Sequence, residues 1–216
     1  MNSAAHSSAR HKQIQSERQQ LRQQIRQARR QLSAREQREF AELACQRALE
    51  LISRQKVKRL ALYLTNDGEL DTQPLIEALW QREIEVYLPR LHPFSPGNLI
   101  FLRYQEDTQL QTNSLKIREP KLDIKQMILP HQLDLVITPL VAFDSSGQRM
   151  GMGGGFYDRT LANWQQSGKP LPIGYAHDCQ KVSQLKSEYW DVPLPMIITP
   201  SELVSPLNQP VSKKLS

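Results

Sequence analysis

Four of the nine glycines in this 216-residue chain fall within five positions, next to charged side chains. The segment reads Arg149-Met150-Gly151-Met152-Gly153-Gly154-Gly155-Phe156-Tyr157-Asp158-Arg159. Glycine has no Cβ, so its backbone can adopt positive φ angles and approach a ligand closely. Consecutive N–H groups of such a loop can bind an anion such as phosphate. Residues 151–155, called the glycine loop below, are therefore a candidate phosphate site.

The residues around the glycine loop add charge to this chemistry. Arg149 and Arg159 place a cation on either side, and Asp158 supplies a carboxylate that could hold a metal ion. A strand is predicted before the loop and a helix after it, which would put the N–H groups at a helix N-terminus, where phosphates bind. Asp158 could instead be a first-turn residue favoured by the helix dipole. A solvent-exposed hairpin turn is the simpler alternative for the segment, but a turn needs only one or two glycines.

Other common site patterns are absent from the sequence. No Gly-x-x-x-x-Gly-Lys-Ser/Thr segment occurs, and Gly151-Met152-Gly153 lacks the strand–helix–strand context of a dinucleotide fingerprint. No His-x-x-x-His, Cys-x-x-Cys or Gly-x-Ser-x-Gly pattern occurs, which argues against zinc and serine hydrolases. Cys45 and Cys179 are far apart, so we expect two free thiols.

The composition is that of an ordinary globular chain, with 39% hydrophobic and 23% charged residues. No apolar run approaches the roughly 20 residues of a membrane span, and residues 1–11 lack the apolar stretch of a secretory signal. We therefore expect a cytoplasmic protein with no membrane partner. The net charge is +6, but residues 10–59 alone carry 14 Lys or Arg and 5 Asp or Glu, so this segment is more positive than the whole chain and the remainder is net negative. Such a segment indicates an anionic ligand, a nucleic acid, or only solvated helix faces.

Apolar periodicity predicts helices and strands that alternate along most of the chain. Two helices come first, and a capping box, Ser33-Ala34-Arg35-Glu36, opens the second. The predicted helices cover residues 11–31, 33–52, 72–81, 123–128 and about 156–165. The predicted strands cover residues 57–64, 84–88, 99–104, 133–138, 172–176 and 196–199, and Pro89 is expected to end the second of them.

This order predicts an α/β fold: a single-domain three-layer sandwich with a mainly parallel sheet, preceded by two N-terminal helices. We place the domain at residues 12–204, after a flexible N-terminus at 1–11 and before a C-terminal tail at 205–216. In such sheets ligands bind beyond the C-terminal ends of the strands. The turn ending at Glu69, the glycine loop and the segment before Met196 should therefore lie near one another.

Several segments together resemble the 5-formyltetrahydrofolate cyclo-ligase family, also called methenyltetrahydrofolate synthetase. The residues that carry this resemblance are Pro139-Leu140-Val141-Ala142-Phe143-Asp144 with Arg149 to Arg159, Tyr63-Leu64 with Gly68-Glu69-Leu70-Asp71-Thr72, Glu119-Pro120, and Arg18-x-x-Leu21-Arg22. The resemblance runs in order from about Arg18 to Thr199. It implies conversion of 5-formyltetrahydrofolate to 5,10-methenyltetrahydrofolate with ATP and Mg²⁺, releasing ADP and phosphate. The formyl oxygen would be phosphorylated to an iminium phosphate, and N10 would then close the ring as phosphate departs.

The resemblance also implies a role for each matching residue. Catalysis would fall to Arg149, Tyr157 and Asp158. Nucleotide binding would involve Arg18, Arg22, Arg149, Met150, Gly151, Met152, Gly153, Gly154, Gly155, Phe156 and Tyr157. Folate would contact Leu64, Glu69, Gly153, Gly155 and Phe156, and Mg²⁺ would be held by Asp158 and Asp191. Simpler interpretations exist: the helix arginines could be merely solvated, Glu69 could only end a turn, and Leu64 could be a core residue.

The chain departs from the family pattern late in the sequence. Trp190 stands where the family usually has His, and Pro195 replaces a second Asp, while Asp191 is kept. Arg18 replaces a Lys, and Phe156 replaces a Tyr. We predict retained activity in a monomer that binds no nucleic acid. The alternatives are a diverged member that binds nucleotide or folate without turnover, and a nucleic-acid-binding protein that uses the basic first helices.

Overall fold

The structure, a computed structural model, describes residues 2–186 and 191–206, with side chains from residue 13 onward in these ranges. The described helices are α1 Asn2–Gln31, α2 Ala34–Arg54, α3 Gln73–Trp80, α4 Phe156–Thr160 and α5 Trp164–Ser167. The described strands are β1 Arg59–Ala61, β2 Glu85–Leu91, β3 Leu99–Arg103, β4 Leu110–Thr112, β5 Arg118–Pro120, β6 Met127–Ile128, β7 Leu135–Thr138, β8 Ala142–Phe143, β9 Arg149–Met150, β10 Leu171–Tyr175, β11 Met196–Ile198 and β12 Leu203–Val204.

Eight of these strands form one sheet in the order β12-β11-β10-β7-β1-β2-β3-β6. The five strands from β11 to β2 pair in parallel, whereas β12, β3 and β6 pair antiparallel with their neighbours. Strands β4 and β5 form a separate hairpin, and so do β8 and β9. The predicted α/β architecture with a mainly parallel sheet is confirmed.

Side chains of the central strands alternate between two helical layers, as the pleat requires. Leu60 and Leu62 belong to the buried cluster that includes α2 and α3 residues. Ala61 between them belongs to the cluster on the other face, together with Leu161 at the end of α4. Helices therefore cover both faces of the sheet, and this arrangement is the predicted three-layer sandwich.

The two N-terminal helices are present, and the capping box at Ser33 forms as predicted. Ser33 Oγ accepts from the Glu36 backbone N–H at 3.2 Å, and the Ser33 N–H donates to Glu36 Oε2 at 2.8 Å. Helix α1 begins at Asn2 instead of near residue 11. In the described part of the chain no helix is long and apolar enough to cross a membrane.

Strand β2 continues through Pro89 to Leu91, so the prediction that Pro89 ends this strand is wrong. The Leu62 N–H donates to Tyr87 O, so the odd-numbered residues of β2 face β1. The next bond of this ladder would need the missing N–H of Pro89, and pairing with β1 stops there. On its other edge β2 stays paired with β3 as far as Leu91. Proline therefore ended one ladder and left the strand intact.

Two other element predictions need correction. The single helix predicted after the glycine loop is divided into α4 and α5, because a turn at residues 161–163 lets Leu161 and Trp164 pack against the same sheet face. The helix predicted over residues 123–128 is a 3-10 turn, Ile124–Gln126, followed by β6. Residues 207–216 of the predicted tail lie outside the described residues, and the proposed domain limits stay predictions.

Candidate active site

A cleft of about 610 Å³ opens beyond the C-terminal ends of β1, β2 and β7. This is the edge where ligands bind in parallel sheets. Helix α1 and the glycine loop contribute to its walls. The predicted site residues that line the cleft are Arg18, Arg22, Leu64, Glu69, Arg149, Gly151, Met152, Gly153, Gly154, Gly155, Phe156, Tyr157, Asp158 and Asp191.

Met150 is the predicted site residue whose side chain does not line the cleft. It is buried in β9 and packs with Ile25, Val141 and Ala142. Successive side chains of a strand point to opposite sides, so a cleft-facing Arg149 directs Met150 into the core. A direct side-chain contact between Met150 and a nucleotide is therefore not supported.

The glycine loop has the backbone conformation that its composition predicted. Gly153 and Gly155 adopt φ angles of +99° and +63°, which side chains with a Cβ rarely adopt. Helix α4 follows the loop directly but has five residues. The dipole of so short a helix is small. Anion binding here would therefore depend on the N–H groups of the loop and on nearby arginines.

Arg159 holds the glycine loop instead of facing the cleft. Its Nε donates to Gly97 O at 2.7 Å, and its Nη2 donates to Gly154 O. The guanidinium also lies 5.6 Å from the centre of the Phe156 ring. Arg159 thus joins the loop to the β2–β3 connection, which corrects the expectation that it is a free cation beside a phosphate.

Helix α1 presents a row of arginines to the cleft. Arg18 donates to Asp191 Oδ2 at 3.2 Å, and Arg22 donates to Gly151 O at 2.9 Å. Arg26 and Arg29 also line the cleft, and sequence reasoning missed both. Arg26 follows Arg22 by four residues and Arg29 follows Arg26 by three, so all three lie on the same helix face, which is the signal that could have revealed them.

Two carboxylates, Asp158 and Asp191, line the same cleft, and the negative charge of each opposes the burial that lowers the pKa of Arg149. Asp158 Oδ1 accepts from the Val192 N–H at 3.2 Å, directly after Asp191 in the chain. The same oxygen accepts from Arg149 Nη2 at 2.7 Å. Within residues 2–186 and 191–206, no group of three or more His, Cys, Asp or Glu could hold a metal.

This pair of carboxylates fits Mg²⁺ better than a metal that needs a full protein cage. Mg²⁺ usually takes one or two carboxylates and completes its coordination with water and substrate phosphates. Pro195 lies just before β11, and Trp190, the other departure in this segment, lies outside the described residues.

Arg149 is buried and Tyr157 is partly buried at the cleft. Burial lowers the pKa of Arg149 below its ordinary value, and the neighbouring Asp158 opposes that shift. Burial also raises the pKa of Tyr157 well above its usual range, with a further contribution from the charge of Glu69. Tyr157 is therefore a neutral phenol that can donate a hydrogen bond, and it is not a general base.

Glu69 also lines the cleft, in the turn after β1. Its Oε2 accepts from the Asn66 N–H at 3.2 Å, and Arg29 Nη1 is 4.0 Å from Oε1. Burial raises the pKa of Glu69 from 4.5 to about 7, although Arg29 opposes the shift. Leu64 is partly buried beside this turn and packs against the core as well as lining the cleft. Glu69 is thus not merely the end of an exposed turn.

The β4–β5 hairpin covers part of the cleft, and sequence reasoning assigned it no role. Glu119 is buried and joins the hairpin to β2: its carboxylate is 2.8 Å from Arg90 Nη1 and accepts from Leu91 N at 3.1 Å. Asn113 donates to the same carboxylate at 3.0 Å. Glu119-Pro120 was part of the resemblance to the family, but the sequence did not indicate that Glu119 joins the hairpin to β2.

Comparisons with known proteins agree with this arrangement. The family model described as the 5-formyltetrahydrofolate cyclo-ligase family matches residues 14–200. A 5-formyltetrahydrofolate cyclo-ligase of Escherichia coli (strain K12) is 54% identical over 175 residues, covering 81% of this chain and 96% of the relative. One from Haemophilus influenzae is 48% identical over 177 residues, covering 82% and 94%.

Solved structures give the same result. The chain superposes on Aquifex aeolicus 5,10-methenyltetrahydrofolate synthetase with a TM-score of 0.75 and 28% identity, covering 91% of this chain and 96% of that one. For a 5,10-methenyltetrahydrofolate synthetase from Mycoplasma pneumoniae the TM-score is 0.68 at 27% identity, covering 85% and 98%. From its sequence, its fold and its cleft, the chain belongs to the 5-formyltetrahydrofolate cyclo-ligase family.

Proposed function

We propose that the protein converts 5-formyltetrahydrofolate to 5,10-methenyltetrahydrofolate, with ATP as co-substrate and ADP and phosphate as products. The observation that carries this proposal is that one cleft contains both halves of the required chemistry. The glycine loop, Arg149, Asp158 and Glu69 all line it. Groups suited to a phosphate and a carboxylate suited to a pterin therefore face the same space.

The reaction needs positioning and charge stabilisation more than covalent catalysis. The formyl oxygen attacks the γ-phosphorus, and the bond from that phosphorus to the ADP oxygen breaks. N10 then attacks the formyl carbon of the iminium phosphate and loses its proton, the carbon–oxygen bond breaks, and the ring closes as the phosphate leaves with that proton. In phosphoryl transfer of this kind, holding the reactants in line and stabilising the transferred charge supply most of the rate.

The cations of the cleft are suited to the polyphosphate. Arg149 is buried beside the glycine loop, so its charge acts in a poorly solvated environment where electrostatic interactions are strong. Arg18 and Arg22 would bind nucleotide phosphates from α1, exchanging their present hydrogen bonds to Asp191 and Gly151 for phosphate oxygens.

Glu69, Leu64 and Phe156 of the cleft are suited to the pterin. An ionised Glu69 can accept two parallel N–H bonds, from the pterin amino group and a ring nitrogen. Leu64 and Phe156 would supply apolar surface on either side of the substrate. Tyr157, held neutral by burial, would donate a hydrogen bond to the reacting oxygen.

Asp158 and Asp191 are the residues that would hold Mg²⁺, which neutralises developing negative charge on phosphate oxygens when it is bound. For each aspartate, the present arginine partner would have to be shared with or yielded to the metal and the phosphates. The proposal also includes a cytoplasmic, monomeric enzyme without a nucleic-acid partner.

The test is to mix purified protein with 5-formyltetrahydrofolate and Mg-ATP and to follow the near-ultraviolet absorbance of the methenyl product. Asp158→Ala is the paired variant, and omission of ATP or of Mg²⁺ gives the controls. Product from the wild type alone, dependent on both additions, is the expected result. Binding of ATP and folate without product would instead establish a diverged binding protein and refute the proposed turnover.

A further inference from the structure

Three arginines of α1 converge on one carboxylate in the turn after β1. Arg26 Nε and Arg30 Nε each donate to Asp67 at 2.6 Å, and Arg29 Nη2 donates to it at 3.2 Å. Asp67 adopts a φ of +53°, in the left-handed region that residues with a Cβ rarely occupy. Such a conformation persists where the surrounding structure holds it. The three arginines and Asp67 are called the Asp67 clamp below.

The innermost member of the Asp67 clamp is a fully buried cation. Arg29 is 1% exposed, and its Nη2 also donates to Asp67 O at 3.0 Å. Its Nη1 donates to Leu140 O at 3.4 Å and lies 4.0 Å from Glu69 Oε1. A buried guanidinium needs a close negative partner. Asp67 supplies that partner, and the Glu69 carboxylate is the next negative group near the same guanidinium, at 4.0 Å.

We propose that Asp67 is a positioning residue for the substrate, because its hold on Arg29 keeps the Glu69 carboxylate directed into the cleft. Without the Asp67 charge, Arg29 would draw Glu69 onto itself, and the carboxylate would lose the orientation in which it meets the pterin. Asp67 lines the cleft beside Glu69 and would act through Arg29, so its effect is expected on folate binding. The inference rests on the proposed function, in which Glu69 receives the pterin N–H groups.

The clamp also has a directional effect on the ionisation of Glu69. The negative charge of Asp67 raises the pKa of Glu69, whereas Arg29 and Arg26 lower it. Removing the Asp67 charge should therefore lower the pKa of Glu69, and removing the Arg26 charge should raise it. The titratable and charged groups that face Glu69 are Arg26, Arg29, Asp67, Tyr63, Tyr157 and His177.

The experiment compares wild type with Asp67→Asn in steady-state kinetics and in calorimetric titration with 5-formyltetrahydrofolate alone. We expect the KM and Kd for folate to rise about tenfold, the effect of one misplaced charge-assisted hydrogen bond, with the KM for ATP and kcat nearly unchanged. The acid limb of kcat/KM for folate should move to lower pH. Glu106→Gln, at an exposed position outside the cleft, removes the same charge and should leave all these values unchanged.

Arg26→Gln is the second variant, useful also if Asp67→Asn fails to fold. Loss of the Arg26 charge should raise the pKa of Glu69, so it should weaken folate binding near neutral pH through protonation of Glu69 and move the acid limb to higher pH. Shifts of the acid limb in opposite directions in the two variants would support an effect of Asp67 on Glu69 through charge. A general loss of structure would not move the acid limb in opposite directions in the two variants. Unchanged folate binding, or an equal rise in the KM for folate and for ATP, would overturn the inference.

Failure of the proposed function is a separate result. A wild type that binds 5-formyltetrahydrofolate without converting it would refute the turnover but leave the Kd comparison decisive for Asp67. A wild type that binds no folate would overturn both.

Discussion

The Glu69 carboxylate should weaken the fold at the pH where it is needed for binding. Its side chain is 18% exposed, and Arg29, 4.0 Å away, compensates only part of the burial that raises its pKa from 4.5 to about 7. In the unfolded chain the pKa returns to near 4.5, so the folded protein binds this proton more tightly. Stability therefore falls as pH rises through the interval from 4.5 to about 7, and the full penalty applies above it.

The substitution Glu69→Gln removes this penalty and keeps the size of the side chain. At about 1.4 kcal/mol per pKa unit, the shift corresponds to roughly 3 kcal/mol at pH values well above 7. We expect the variant to be more stable than wild type by about this amount near pH 8.5 and by roughly half of it near pH 5.5. For a chain of this length, the larger difference is a rise in Tm of about 6–12 °C.

The assay is urea denaturation of both proteins at the two pH values, followed by circular dichroism, with thermal melting in parallel. The same variant should lose about 100-fold in kcat/KM for folate, because the amide presents an N–H to donors of the pterin. The exposed Glu106→Gln should change stability little at either pH. An equal stability gain at both pH values, or none, would refute the account of Glu69 as a desolvated carboxylate.

Two further predictions concern the supports of the cleft. Arg159→Ala should raise the KM for ATP about tenfold, because the hydrogen bonds from Arg159 to Gly97 and Gly154 that support the glycine loop are lost. The KM for folate should stay near the wild-type value. Initial-rate kinetics check this, with Arg159→Lys as the milder variant. Glu119→Ala should destabilise the protein by about 3–5 kcal/mol in urea denaturation, because Arg90 keeps a largely buried charge without its partner. Near-wild-type stability of Glu119→Ala would show that water compensates Arg90.

Local signals in the sequence were sufficient for most of the elements. The Ser33 capping box and the apolar periodicity depend on neighbours within a few residues, so the helices and strands that they indicate can be predicted without knowledge of the fold. Pro89 shows the limit of such signals. The prediction that Pro89 ends β2 was wrong, because which of the two neighbouring strands would lose a hydrogen-bond partner depended on the sheet order.

The candidate site divides in the same way. The glycine loop, Asp158 and Glu69 were identified because their residue types and order resemble a family, and the structure brings them to one cleft. Arg159 looked like a second phosphate cation, yet its position next to Gly97 turns it to a supporting role. Gly97 lies 62 residues from Arg159 in the sequence, so no local pattern predicts this hydrogen bond.

By itself the sequence determined the fold class and the family, because these depend on residue type, periodicity and short-range spacing, and on the same grounds it predicted a phosphate site at the glycine loop. Only the tertiary structure decided how charge is distributed around the cleft: that Arg29 is buried, that Asp67 holds it, and that Glu69 is left as a weakly compensated carboxylate. The physical reason is that burial and electrostatic coupling depend on distances between segments far apart in the chain, and these distances exist only after the helices and the sheet have packed.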